Sequence, residues 1–132
     1  MLDCSISLAW FFPDEINGYA DSVFESLDAN QPVVPTIWMY EFSNALLAAE
    51  RRRRLTEAET AAIITEAGDL FIETDAQPGD AGELLRLARE LQLSAYDASY
   101  LELALRRSLP IATLDNKLRS AAQTIGVVIY DH

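Results

Sequence analysis

Pro110-Ile111-Ala112-Thr113-Leu114-Asp115 is a short apolar run that ends on an acid. It reads as a buried strand, with a helix over Asn116 to Thr124 and a further strand over Val127 to Tyr130. The same alternation extends back along the chain. Leu2 to Cys4, Val33-Val34 and Leu70 to Thr74 are short β-type runs. Between them lie helical patterns. Pro13 breaks the run after the first strand, and a helix follows from about Glu15 to Asp28, with Ala20, Val23, Phe24 and Leu27 at helical spacing. Thr36 caps a helix to about Arg54 that places Trp38, Phe42, Ala45 and Ala49 on one face. Thr56 and Glu59 have the spacing of a capping box and open a helix to about Ala67. Gly79 to Leu91 is helical, and Ser94 with Asp97 starts a helix to about Arg107. Apolar strands separated by helices predict an α/β fold, an open parallel sheet covered by helices. No linker or internal repeat divides residues 1–132, so a single domain is expected.

Composition narrows the function. The chain carries 21 acidic and 10 basic residues, a net charge of -11, and is 50% hydrophobic. That much apolar surface excludes a wholly disordered acidic chain. The charge argues against a broad basic face for nucleic acid, since such binding rests on neutralising phosphates. It is compatible with metal binding or a basic protein partner. Cys4 is the only cysteine, so no intrachain disulfide forms and a reducing, cytoplasmic compartment is expected. No signal peptide or membrane span is expected either. The only histidine is His132, which argues against a Ser-His-Asp triad, a Cys-His pair and a histidine-built zinc site. The chemistry must therefore use carboxylates, hydroxyls, Arg or Lys.

In parallel sheets, ligands bind outside the carboxyl ends of the strands, at the topological switch point. Asp3 and Asp115 each sit at such an end. Glu41 lies one to two turns into the Thr36 helix, and Asp97 in the first turn of the Ser94 helix. If the four converge, their repulsion forces protonation or the binding of a cation. Oxygen-only ligands select hard ions, and Mg²⁺ or Mn²⁺ fit best. Such clusters serve phosphodiester hydrolysis. Ser5 and Thr113 flank the outer pair and would hold a water or a phosphate oxygen. Each acid also has a plainer role: Asp3 as a turn residue, Asp115 as an N-cap, Asp97 as the third residue of a capping box, Glu41 on a solvated helix edge.

Four segments together resemble one family. Asp3-Cys4-Ser5, Tyr40-Glu41-Phe42-Ser43-Asn44-Ala45-Leu46, Tyr96-Asp97-Ala98-Ser99-Tyr100-Leu101 and Ala112-Thr113-Leu114-Asp115 resemble, in order and separation, the motifs of PIN-domain ribonucleases. Size and motif order are most similar to VapC-type toxins of bacterial toxin–antitoxin pairs. The resemblance implies an α/β/α sandwich with a five-stranded parallel sheet, order 3-2-1-4-5. It implies an endoribonuclease that uses one or two Mg²⁺ or Mn²⁺ ions held by Asp3, Glu41, Asp97 and Asp115. It also implies a homodimer and neutralisation by a cognate antitoxin with a basic segment. Two departures stand out. The lead into Asp3 is short for this family, and Asn116 stands where an additional acid is sometimes found, which would weaken a second metal site.

The expected reaction is in-line attack of a metal-activated water on an RNA phosphodiester, leaving a 5′-phosphate. Asp3, Asp97 and Asp115 would be the main ligands and Glu41 a ligand or the orienter of the water. Asn44, one turn beyond Glu41, would hydrogen-bond in the pocket. Arg51-Arg52-Arg53-Arg54, the only basic run, either complements a helix C-terminus in solvent or contacts RNA phosphate or the antitoxin. Trp10-Phe11-Phe12 reads as core or dimer surface, and Cys4 as a small buried residue without a histidine to activate it. Two alternatives compete. One is a phospho-acceptor protein, either a receiver with Asp75 as acceptor or a haloacid-dehalogenase-type phosphatase. Against it, the latter wants an acid where Ser5 stands, and Lys117 lies before the fifth strand rather than after it. The other is a catalytically inactive PIN domain, against which all four acids are present.

Overall fold

A computed structural model describes residues 1–12 and 16–131. The expected break at Pro13, the helix start at Glu15 and the lone His132 lie outside the described residues.

The chain forms α1 (Cys4–Phe11), α2 (Gly18–Glu25, continued by a 3₁₀ turn, Ser26–Asp28), β1 (Val33–Pro35), α3 (Ile37–Arg51), α4 (Glu57–Asp69), β2 (Glu73–Asp75), α5 (Ala81–Leu91), α6 (Ala95–Arg107) and α7 (Asn116–Thr124). The fold is α/β, rich in helix, with a parallel sheet. β1 and β2 pair in parallel, Val33 with Glu73, Val34 with Thr74 and Pro35 with Asp75.

Only two of the five expected strands register as strands among the described residues. The first reduces to a single parallel bridge, Leu2 to Ala112, because Cys4 already begins α1. The fourth and fifth meet in one bridge, Ile111 to Ile129. Backbone hydrogen bonds link these segments sideways. The Leu2 amide donates to the Val33 carbonyl at 2.9 Å, the Asp3 amide to Ala112 at 3.0 Å and the Tyr130 amide to Ile111 at 2.8 Å. The third strand starts at Glu73, later than expected, because α4 runs on to Asp69 and Phe71 adopts a left-handed backbone (φ 49) before the chain straightens.

α1 was not expected. Its residues Cys4, Ile6, Ser7 and Ala9 are buried, and Leu8, Trp10 and Phe11 pack partly against the same core. A helix apolar on nearly every side carries little periodicity to read. Trp10 meets Phe24 edge-on, with ring centroids 5.3 Å apart, and Phe11 meets Phe42 at 5.8 Å. The Trp10-Phe11-Phe12 run is therefore core. α2 begins later than expected, where Asn17 caps the Tyr19 and Ala20 amides at 3.0 and 3.1 Å.

α3 starts where expected, but Thr36 is itself in helical conformation and its side chain makes no capping bond. The remaining helix starts follow the sequence closely. Thr56 and Glu59 form the capping box on α4, Asp80 caps α5 through the Glu83 amide at 2.9 Å, and Ser94 caps α6 through the Asp97 amide at 3.0 Å. α3 ends at Arg51, short of Arg54. The Arg53 amide bonds the Glu50 carbonyl (2.8 Å) and the Arg54 amide the Ala49 carbonyl (2.9 Å), with Arg53 left-handed at φ 57. This is a Schellman closure built from arginine instead of glycine. α6 is the central helix. Ala98, Tyr100, Leu101, Glu102, Leu103 and Ala104 are all buried, and it packs on α5 and β1. No helix among the described residues is long and apolar enough to cross a membrane.

Candidate active site

Asp3 lies where the first bridged segment turns into α1. It is 7% exposed, and its backbone is extended. Its Oδ2 accepts hydrogen bonds from the Ser5 hydroxyl and, at 2.7 Å, from the Thr113 hydroxyl. Each hydroxyl also accepts from the backbone: Ser5 Oγ from the Leu114 amide and Thr113 Oγ1 from the Asp115 amide, both at 3.0 Å. Ser5 and Thr113 thus bind a carboxylate at one segment end to the amides at the other. Burial pushes the Asp3 carboxyl above its usual range, against the pull of the two hydroxyls.

Glu41 reaches the same region from α3, half-buried, and its Oε2 accepts a hydrogen bond from the Tyr100 hydroxyl of α6. Burial pushes Glu41 up, the Tyr100 bond pulls it back, and the like charges of Asp3 and Asp97 push it up further. Asp97, partly buried in the first turn of α6, is therefore within electrostatic reach of Glu41. Cys4 is buried beside them. Burial, then the charges of Glu41 and Asp3, push its thiol far up. Its small buried place is the one the sequence leads one to expect.

Asp115 is exposed and caps α7, with Oδ1 accepting from the Lys117 and Leu118 amides at 2.7 and 3.0 Å. The plainer role expected for it is thus realised. That role occupies one oxygen, and its amide remains tied to the Asp3 network through Thr113. Asn44 is exposed one turn beyond Glu41. Arg51, Arg52, Arg53 and Arg54 are exposed at the far end of α3, and Arg51 lies about 15 Å along the helix from Glu41 at the usual rise per residue. The Arg54 guanidinium sits over the Phe12 ring, 5.0 Å from its centroid. Asp75 stands at the end of β2, bonded to the Gln77 amide (2.9 Å) and to Arg106 (3.3 Å) and Arg107 (3.4 Å). A carboxylate paired in this way is poorly placed to accept phosphate.

Asp3 and Asp97 each lie within electrostatic reach of Glu41, and Thr113 ties the Asp115 amide to Asp3. The acids do not close into a cage: among the described residues, no group of three or more His, Cys, Asp or Glu side chains is arranged to hold a metal ion. The donor set nonetheless fits a hard divalent ion in kind. The acids on offer, Asp3, Glu41, Asp97 and Asp115, are carboxylates, and burial pushes the thiol of the one soft donor, Cys4, far up. Asp3 and Glu41 are both raised by desolvation, a cost that a bound cation would relieve. Sequence reasoning missed one residue, Tyr100. Its place three residues after Asp97, on the same helix face, was the signal available.

The model of the PIN domain family matches residues 1–123. Among solved structures, the chain is similar to PAE2754 from Pyrobaculum aerophilum, with a TM-score of 0.73 and 23% sequence identity over 91% of this chain and 76% of that one. At that identity the likeness is one of fold. A comparison with curated proteins matches none.

Proposed function

This chain belongs to the PIN domain family, and from that premise we propose that it is a metal-dependent endoribonuclease, the toxin of a toxin–antitoxin pair. PIN domains are generally nucleases and typically use divalent metal ions. The observation that carries the reading is that Asp3, fixed by Ser5 and Thr113, and Glu41, fixed by Tyr100, are held by hydrogen bonds from other elements, with Asp3 and Asp97 both within electrostatic reach of Glu41. Like charges are gathered at such a cost where a cation is to be held.

Asp3, Glu41 and Asp97, joined by Asp115, would hold Mg²⁺ or Mn²⁺, as one or two ions. When bound, the ion supplies Lewis-acid stabilisation of phosphoryl charge and a lowered pKa for water. The chain's own residues do the rest. Ser5 and Thr113 fix Asp3 through Oδ2. Glu41, held through Oε2 by the Tyr100 hydroxyl, would serve as a ligand or orient the attacking water. In-line attack by water would break the P–O3′ bond of an RNA phosphodiester, the leaving oxygen taking up a proton to become a 3′-hydroxyl and the other fragment keeping a 5′-phosphate. Asn44 hydrogen-bonds at the rim, and Arg51 to Arg54 contact RNA phosphate or an acidic part of the antitoxin.

The finer architecture belongs to the same reading. The protein is a single PIN domain over residues 1–132, an α/β/α sandwich of sheet order 3-2-1-4-5. Met1–Asp3, Ile111–Ala112 and Val128–Tyr130 serve as the first, fourth and fifth strands, supported by their sideways backbone hydrogen bonds. It works in the cytoplasm as a homodimer, and a cognate antitoxin silences it by presenting a basic segment to the acidic rim. Induced expression in a bacterial host tests this. Wild type should arrest growth and Asp97→Asn should not. Equal growth with wild type and variant would retire the toxin reading.

A further inference from the structure

Glu41 reaches from α3 to the Tyr100 hydroxyl on α6, with Asp3 and Asp97, of other elements, within electrostatic reach. Its side chain has three rotatable bonds and is only half-buried, so a neighbour must set its direction. Tyr100 is placed to do this. It is 1% exposed, its ring is locked within the central cluster of the core, and its hydroxyl donates to Glu41 Oε2 across 59 residues of chain. A phenol sealed this deeply must find an acceptor, and a Phe ring would fill the same space without that demand. Here the acceptor is a carboxylate of the rim. Tyr100 also stands one turn after Asp97 on α6, so a single rigid helix carries both an acid of the rim and the donor that aims another.

We infer that Tyr100 is a positioning residue: its hydroxyl binds Oε2 of Glu41 and holds Oε1 toward the space shared with Asp3 and Asp97, preorganising the acids for a divalent cation. This rests on the metal-dependent reading above, which leaves Tyr100 without a role. A hydrogen bond to a ligating carboxylate fixes its orientation, and its loss commonly weakens metal binding about 10- to 100-fold.

Calorimetric titration with MnCl₂, beside melting curves in EDTA, tests the inference. Tyr100→Phe keeps the ring and removes only the donor. The expected result is a folded protein that binds Mn²⁺ about 10- to 100-fold more weakly than wild type. In a Glu41→Ala background, which removes the acceptor, the same substitution should change affinity by less than about twofold, since coupled residues do not add. A space-filling tyrosine would shift the metal-free melting temperature and leave Mn²⁺ affinity alone. Equal affinity in wild type and Tyr100→Phe overturns the inference, as does an undiminished effect in the Glu41→Ala background. Should Tyr100→Phe fail to fold, Glu41→Asp, which draws the carboxylate out of reach of the retained hydroxyl, must weaken Mn²⁺ binding. Unchanged affinity there overturns it equally. Wild type that binds no Mn²⁺ is a separate result, and it defeats the metal-dependent reading itself together with this one.

Discussion

Thr113 and Asp3 stand 110 residues apart in the chain, and the hydroxyl of the first donates to Oδ2 of the second at 2.7 Å. Both are buried, and the same hydroxyl accepts from the Asp115 amide. One side-chain oxygen therefore joins the two segment ends on which the acidic rim is built.

Thr113→Val keeps the shape and removes the hydroxyl. It leaves a buried carboxylate short of a donor and the Asp115 amide without its acceptor. Urea unfolding should show a loss of about 1.5–3 kcal/mol. Thr113→Ser, which restores the oxygen, should recover most of it.

Asp3 and Glu41 make stability fall with pH in the absence of metal. Both have folded-state pKa values above their usual 3.8 and 4.5. The folded protein therefore holds protons that the unfolded chain has released. Their contribution is most favourable below about pH 4 and is lost as pH rises through the raised values. Asp3→Asn and Glu41→Gln should each raise the melting temperature in EDTA at pH 7. The gain over wild type should shrink toward pH 4. Taking the difference between variant and wild type removes the opposite contributions of Asp75, Glu59 and Glu83, whose pKa values are lowered.

Asp115 has a structural role and a proposed chemical one, and two substitutions separate them. Asn caps a helix about as well as Asp, so Asp115→Asn should unfold close to wild type. Asp115→Ala should lose about 0.5–2 kcal/mol with the cap. Both should impair RNA cleavage. Normal cleavage by a folded Asp115→Asn protein would remove that residue from the ligand set.

Arg53 closes α3 in a left-handed conformation at φ 57 that glycine adopts without steric cost. Arg53→Gly should therefore raise stability by about 0.5–1 kcal/mol in urea unfolding. A loss of stability would mean that the arginine side chain contributes more than the strain it imposes.

The sequence was most legible where local chemistry alone sets the structure. Thr56 with Glu59, Asp115 before α7 and Ser94 before α6 act through their nearest amides, and the helices start where those residues say. It was least legible where tertiary burial overrides the local pattern. α1 hides its period because almost every face of it is covered. Leu2 has room for only one bridge, since the helix begins two residues later. Phe71, 82% exposed and left-handed, delays β2 for a reason that strand propensity does not contain. Asp3 and Asp115 drew attention by their places at segment ends, and Glu41 and Asp97 by theirs near helix starts. Tyr100 did not, because its role comes from a contact with a residue 59 positions away.

The central claim is that the acids around Glu41 hold a divalent ion for RNA hydrolysis. The most direct measurement is cleavage of end-labelled RNA by purified wild type and by Asp97→Asn, the variant shown by its melting curve to be folded, in Mn²⁺ and in EDTA. The account predicts fragments with 5′-phosphates from wild type in Mn²⁺, none in EDTA, and a rate for Asp97→Asn lower by about 100-fold or more. Cleavage that persists in EDTA, or that proceeds at the wild-type rate in Asp97→Asn, would contradict it.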